Sequence, residues 1–388
     1  MGSIGLPDKD SPDIHLAVAT KEELLAQQNA NSEEWRGVLP AEAYVRRETY
    51  LYSQELTKDD GMTPWVLVYQ PDRNGPRQIL CGCESIRKRA LIARDGEIED
   101  VTSHGVCSVF CSPDKRGRGY AGRMMKDMAQ TMEHWQAENG KSSPFSILFS
   151  DIGKDFYALR GWQAFPSAHV SVPALPTTTP ASVRLLKSED IAELCALDEK
   201  LIRQRLSKLN SSNRIAVAIV PDHATIAWHH ARDDFVANEL YGKTPTVKGV
   251  MIGDKPGSRI WMYFTRVWTY LQEDSPNTLH VLRLVIEDES LSDFSPASPA
   301  AADKLEDTEV VHAIAACLQV AQSEAALWDM KEVTIWNPTS ATLAAARSLD
   351  PKAAVVEREH ESIASLNWYG DGSLKDIDWV CNEKYGWC

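Results

Sequence analysis

The run Val101-Thr102-Ser103-His104-Gly105-Val106-Cys107-Ser108-Val109-Phe110-Cys111 leads straight into Ser112-Pro113-Asp114-Lys115-Arg116-Gly117-Arg118-Gly119-Tyr120-Ala121-Gly122. The first part is strand-like. The second is a glycine-rich turn, and from about Tyr120 to Glu138 the pattern is a long helix stopped by Asn139-Gly140. A strand that ends in Arg-x-x-Gly-x-Ala and then becomes a helix builds an anion site. The glycines let successive backbone N–H groups turn into one cavity, and the positive end of the helix adds to the attraction for a diphosphate.

Upstream, His15 to Thr20 alternates like a short strand. Thr20 with Glu23 forms a capping box for a first helix, and a second helix spans about Pro40 to Glu55. Trp65 to Tyr69 is a strand, Asp72-Arg73-Asn74-Gly75-Pro76 a turn, and Ile79 onward, towards Ile92, the next strand. Downstream, Phe145 to Phe149 is a strand, followed by a short helix at Phe156-Tyr157 and a turn at Gly161. This order fits a mixed α+β sheet with helices on both faces better than a doubly wound one.

Pro173 to Ser182 reads as a semi-rigid linker. Beyond it the pattern partly restarts. A strand at Val183 to Leu186, a helix opening at Ser188, a hairpin-like region from Lys248 to Tyr270 and a strand from Leu279 to Ile286 come first. A long helix from Val310 to Met330, a strand from Val333 to Trp336 and a helix from Thr339 to Leu349 follow. Strand, long helix, strand, short helix repeats the first half, but the turn before the long helix has no glycines. The expected organisation is a catalytic domain at 1–172, the linker at 173–182, and a degenerate copy at 183–388.

Arg116, Gly119 and Ala121 fit the cofactor pattern of GNAT acetyltransferases. Ser150-Asp151-Ile152-Gly153, Phe156-Tyr157 and Gly161-Trp162 fall where those enzymes carry the other half of the cofactor site. Cys83-Glu84-Ser85-Ile86-Arg87, the run from His104 to Phe110, and the ending Trp379-Val380-Cys381-Asn382-Glu383-Lys384-Tyr385-Gly386-Trp387-Cys388 narrow the likeness. Over most of its length the chain resembles the fungal lysine N6-acetyltransferases of lysine catabolism. That resemblance implies a GNAT fold, acetyl-CoA as co-substrate, and the ε-amine of free L-lysine as acceptor. Other small amines, such as a polyamine or a drug, and a non-catalytic acyl-CoA sensor are the rival readings.

The resemblance also implies roles. Val109, Phe110 and Cys111 lie at the strand edge whose backbone N–H groups stabilise the thioester oxyanion. Arg116 to Gly122, with Gly117, Arg118, Tyr120 and Ala121 among them, cradle the diphosphate, and Ser150 stands where the family usually has Asn against the pantetheine. Tyr157 is placed to protonate the leaving thiolate. A lysine ε-amine is neutral about once in several thousand molecules at pH 7, so a base is needed. Three candidates stand: His104, Glu84 (which can also hold the substrate ammonium), and the carboxylate of Cys388, since some two-domain relatives use their terminal carboxylate.

Composition limits the alternatives. With 55 acidic against 41 basic residues the formal charge is −14, which repels nucleic-acid backbones. No run of 18 apolar residues supports a transmembrane helix, and no secretory leader is apparent, so a cytoplasmic protein is expected. The eight cysteines contain no C-x-x-C pair and read as free thiols without a zinc site. His229-His230 with Asp233 and Asp234 reads as a polar helix surface, and Arg87-Lys88-Arg89 as a solvated charge run.

Overall fold

The computed structural model describes residues 5–137, 143–209, 214–269, 277–291, 294–305 and 307–388. The chain begins with β1 (Ile14–Val18), α1 (Lys21–Trp35) and α2 (Ala41–Tyr52). The capping box is present: Glu23 N donates to Thr20 Oγ1 at 3.2 Å, and Thr20 N to Glu23 Oε2 at 2.8 Å. Next come the meander strands β2 (Met62–Tyr69), β3 (Gln78–Arg94) and β4 (Glu97–Phe110), then α3 (Tyr120–Met132), β5 (Phe145–Ser150), α4 (Asp155–Ala158), β6 (Gln163–Ala164) and β7 (Ala168–Pro173). The long helix therefore ends at Met132, while its expected stop at Asn139-Gly140 lies outside the described residues.

The second half holds β8 (Val183–Leu186), α5 (Ser188–Leu206), β9 (Ile215–Ile219), α6 (His223–Tyr241), β10 (Gly249–Ile252), β11 (Ile260–Val267) and β12 (Thr278–Ile286). It continues with α7 (Pro299–Ala302), α8 (Glu309–Leu327), β13 (Glu332–Trp336), α9 (Ser340–Leu349), β14 (Val356–Glu357), β15 (Ile363–Trp368) and β16 (Ile377–Trp379). Tyr270, where the hairpin-like region was expected to end, lies outside the described residues.

The repeat is visible in the strand pairing. In the first half β3 and β4 pair antiparallel, and α3 connects β4 to its parallel neighbour β5. In the second half β11 and β12 pair antiparallel, and α8 connects β12 to its parallel neighbour β13. Each parallel pair needs a crossover helix, which explains why the two long helices recur at matching places. Helix α8 is apolar because it is a core helix: Val311, Ile314, Cys317, Leu318 and Ala321 are fully buried beneath the second sheet.

The sheets do not divide at the linker. The nine-stranded sheet runs β1-β2-β3-β4-β5-β15-β6, with β9 on β3 and β16 on β9, so it includes three strands from beyond the linker. The seven-stranded sheet, β14-β7-β13-β12-β11-β10-β8, takes β7 from before it. Strands β7 and β8 flank the linker near opposite ends of that sheet, so the prolines bridge its width. The linker is tied to α8 on the way: Thr177 Oγ1 donates to Gln319 O at 2.9 Å, and Ser323 Oγ to Thr177 O at 3.2 Å. Phe145 and Ile147 of the first sheet and Trp261 and Leu282 of the second share one core with Tyr385 from the C-terminal segment. The exchange makes the halves interdependent.

Two expectations are corrected here. His229, His230 and Asp233 are buried rather than a polar surface, because α6 packs between the second sheet, α2 and the C-terminal segment. His229 Nε2 donates to Tyr385 O at 3.0 Å, and burial lowers its pKa to about 3. Asp233 pairs with Arg266 at 3.0 Å. In the run 87–89, Lys88 is buried while Arg87 and Arg89 are exposed, as strand alternation requires.

Candidate active site

Gly119 caps α3 in the left-handed conformation (φ 83°), which a β-branched side chain resists. Gly117 has φ 76° and open space where a Cβ would stand. The free N–H groups of the helix end and this open backbone make a cradle that fits a diphosphate. Beside it lies a cleft of about 490 Å³ lined by Gly119, Gly122, Lys9, Arg123, Lys126 and Arg160. Arg118 is exposed nearby, Ala121 is half-buried, and buried Tyr120 anchors the loop by donating its hydroxyl to Pro7 O. Arg116 points elsewhere: its Nε donates to Cys111 O at 2.8 Å, and it pairs with Glu34 of α1 at 2.6 Å. It therefore ties the loop to α1.

Strands β4 and β5 pair only through His104–Ser146, Gly105–Ile147 and Val106–Leu148. Past that point β4 bulges: Ser108 has φ 53°, and the register against β3 shifts between Gly82 and Glu84. A bulge re-aims the strand and frees backbone groups, here next to Val109, Phe110 and Cys111. Tyr157 sits on α4 in the cluster under α3, with its ring buried edge-on to Phe156 at 5.0 Å. Among the described residues its hydroxyl has no hydrogen-bond partner, and burial raises its pKa, so it keeps its proton at neutral pH. Ser150 is differently engaged: its Oγ donates to Gly153 O at 2.6 Å and accepts from Ile152 N, which shapes the turn before α4.

The base candidates lie on two faces of the sheet. His104 and Val106 face α3, whereas Gly105 and Cys107 face the other way, towards Glu84, which pairs with Cys107. His104 is buried with Nε2 against Gln136 Oε1 at 3.2 Å, and burial lowers its pKa to about 4. It is thus separated from Glu84 and Cys388 by the sheet itself. Glu84 and Cys388 do come together. The Cys388 thiol lies where a Cβ on Gly105 would meet it at 2.7 Å, so a side chain at 105 would displace the thiol or the Lys88 chain beside it.

Glu84 accepts a hydrogen bond from the Tyr52 hydroxyl at 3.3 Å and another from Ser108. Burial, together with the nearby Glu48 carboxylate, outweighs those bonds and pushes its pKa up to about 7. Cys388 has the opposite shift: a hydrogen bond from Cys107, with Lys88 and Lys384 nearby, favours its thiolate. Around Glu84, the residues Glu48, Tyr52, Ser108, Trp387 and Cys388 are all half-buried, and the cavity that Glu84 and Ser108 line holds about 10 Å³.

The C-terminal segment is held firmly enough to wall this recess. Arg283 of β12 makes two 2.8 Å bonds to Asp198 and also pairs with Glu383, which accepts from Leu284 N at 3.1 Å. Tyr385 donates its hydroxyl to Ile219 O at 2.7 Å, and Lys384 Nζ lies 3.9 Å from the Trp387 ring. The sequence reading missed Tyr52, Glu48, Cys107, Lys88 and Lys384. Among the described residues no three His, Cys, Asp or Glu side chains converge as metal ligands.

A meander closed by one helix-crossed parallel pair, bulged at the strand before a glycine-capped helix, defines a GNAT-type acyltransferase fold. Residues 169–388 match the family described as the LYC1 GNAT-like C-terminal domain, and the chain belongs to that family. A lysine acetyltransferase of Yarrowia lipolytica is 24% identical over 262 residues, 57% of this chain and 65% of that protein. An uncharacterized protein of Saccharomyces cerevisiae is 22% identical over 248 residues, 54% of this chain and 61% of that one. The matches thus span just under two thirds of these relatives' lengths. Among solved structures, an N-myristoyltransferase of Saccharomyces cerevisiae with bound myristoyl-CoA and inhibitors superposes with a TM-score of 0.52 at 11% identity, covering 94% of this chain and 82% of that one. A probable N-acyltransferase from Enterococcus faecalis gives 0.51 at 12% identity, covering 92% of this chain and 72% of that one. At these identities the likeness is one of fold.

Proposed function

We propose that the protein is an acetyl-CoA-dependent N-acetyltransferase whose acceptor is the ε-amine of free L-lysine. The observation that carries the reading is Glu84: a half-buried carboxylate beside the β4 bulge, hydrogen-bonded to Tyr52 and Ser108, with its pKa pushed up to about 7. A general base is most useful when its pKa lies near the working pH. The family membership and the Yarrowia lipolytica relative's name support the acceptor, and the glycine cradle with its cationic cleft supports the co-substrate.

Acetyl-CoA would supply the acetyl thioester and its thiolate as the leaving group. Glu84 removes a proton from the bound ammonium, leaving an amine able to attack the carbonyl directly. Backbone N–H groups freed around Val109, where β4 leaves β5, hold the developing oxyanion. Glu84 serves the amine from one face of the sheet, and the protonated Tyr157 hydroxyl on the α3 face holds the proton that the departing thiolate needs. Gly117 and Gly119 hold the diphosphate. A thiol-release assay with acetyl-CoA over a panel of amines tests the proposal, with L-lysine expected to be the preferred acceptor. No thiol release above the hydrolysis background with any primary amine would overturn it.

A further inference from the structure

Arg232 projects from α6 towards Trp387 of the C-terminal segment, and no step assigned above uses it. The helix brings it there by packing on α2: Trp228 and Ala231 cluster with Leu51, and Phe235 stacks on Tyr50 at 5.8 Å. Its guanidinium lies over the Trp387 ring, 5.6 Å from the centroid. Other interior arginines are satisfied: Arg266 pairs with Asp233 and Glu324, Arg283 with Asp198 and Glu383, and Arg47 with Glu48, while Arg205 and Arg358 donate to backbone carbonyls. Among the described residues Arg232 has neither a hydrogen bond nor an ion pair, although it is only half-exposed. An unpaired guanidinium held against a ring and away from bulk water is costly unless an anion completes it.

We infer that Arg232 binds the carboxylate of the acceptor, so that the site selects a free amino acid over a plain diamine. The inference rests on the acceptor reading above and deepens it. Charge is laid out for a zwitterion: the Glu84 carboxylate waits at the β4 bulge and the Arg232 cation at α6, with Tyr44 and Glu48 within electrostatic reach of both. Burial and the neighbouring Arg47 lower the pKa of Arg232 to about 10, which still leaves it charged at neutral pH. A diamine would bring a second cation towards this guanidinium, and a lysine within a peptide has no free α-carboxylate to offer it. Discrimination thus comes both from a pair gained and from a repulsion imposed on competitors.

The test is calorimetric binding of L-lysine and of 1,5-diaminopentane, with CoA present, to the wild-type protein, Arg232→Met and Arg232→Lys. Wild type should prefer lysine by about 10- to 100-fold, the range for a charge-assisted hydrogen-bonded pair. Arg232→Met should abolish that preference by weakening lysine binding while diamine binding holds or improves, and Arg232→Lys should retain part of it. Equal wild-type affinity for the two ligands, or undiminished lysine preference in a folded Arg232→Met protein, would overturn the inference. Thiol release is read separately. Lysine binding that depends on Arg232 without acetyl transfer would leave the carboxylate site standing and remove the transferase reading. Transfer to both amines at equal efficiency would do the reverse.

Discussion

Replacing Glu84 by Gln keeps the side chain's size and leaves an amide oxygen for the Tyr52 hydroxyl, but removes the carboxylate assigned as the base. At pH 7 a lysine ε-amine is neutral in about one molecule in 2500, so a site without a base works on that fraction alone. The expected loss at pH 7 is about 10²- to 10⁴-fold in kcat/KM for the amine. The pH profile gives the sharper signature. Wild-type kcat/KM should rise through about 7, where Glu84 ionises, and then flatten. The variant should instead climb about tenfold per pH unit towards the pKa of the amine near 10, so that the deficit narrows as pH rises.

Stability should move the other way. The pKa of Glu84 in the fold, about 7, lies above its ordinary 4.5, so the native state binds this proton more tightly than the unfolded chain. Its contribution is therefore least unfavourable at low pH, worsens as pH rises from about 4.5 through about 7, and is constant above. A shift of that size corresponds to a penalty of at most about 3 kcal/mol on the ionised fold. Glu84→Gln should be more stable than wild type at pH 8, with the gain fading at pH 4, as followed by urea unfolding at both pH values. A variant within about threefold of wild-type activity at pH 7, with an unchanged pH profile, would refute the role of Glu84 as base.

Three further outcomes are expected. Gly119→Val forces a β-branched residue to φ 83° at the cap of α3, so CoA affinity measured by calorimetry should fall at least about tenfold while circular dichroism shows the fold retained. Tyr157→Phe removes a hydroxyl that no described residue bonds, so thermal stability should hold while kcat falls about 10²-fold with little change in the KM for acetyl-CoA. Arg283→Met leaves Asp198 and Glu383 without their cation, which should cost about 3–5 kcal/mol in urea unfolding. That loss should be larger at pH 8 than at pH 5, because protonation relieves the stranded carboxylates.

The strands before the linker and the glycine turn after β4 were legible because their signals are local. A capping box, a turn rich in Gly and Asn, and a strand that runs through a glycine turn into a helix each lie within a few residues and form, although Arg116 turns away to Cys111 O and Glu34. The second half was legible as a repeat for the same reason. What escaped is everything made by contacts across the linker. No local pattern announces that β15 inserts beside β5, or that β9 and β16 extend the first sheet beyond β3. The pairing of Glu84 with Cys107 is a matter of register between β3 and β4, and register also places His104 on the α3 face, away from Glu84. Buried His229 looked like surface because helical periodicity shows which residues share a face but not what covers it.

That same exchange explains why a degenerate second half persists without a glycine cradle of its own. Its strands close the first sheet, its Arg283 anchors the segment that ends at Cys388, and its α6 brings Arg232 over Trp387 of that segment. None of these three tasks needs a glycine turn before α8. The first half alone would carry the cradle, Tyr157 and Glu84, yet its sheet would lose β15 from the flank of β5, exposing the edge from which Ser150 leads into α4. On the proposed reading, the base and the glycine turn belong to the first half, while Arg232, Trp387 and Cys388 beside them come from the second.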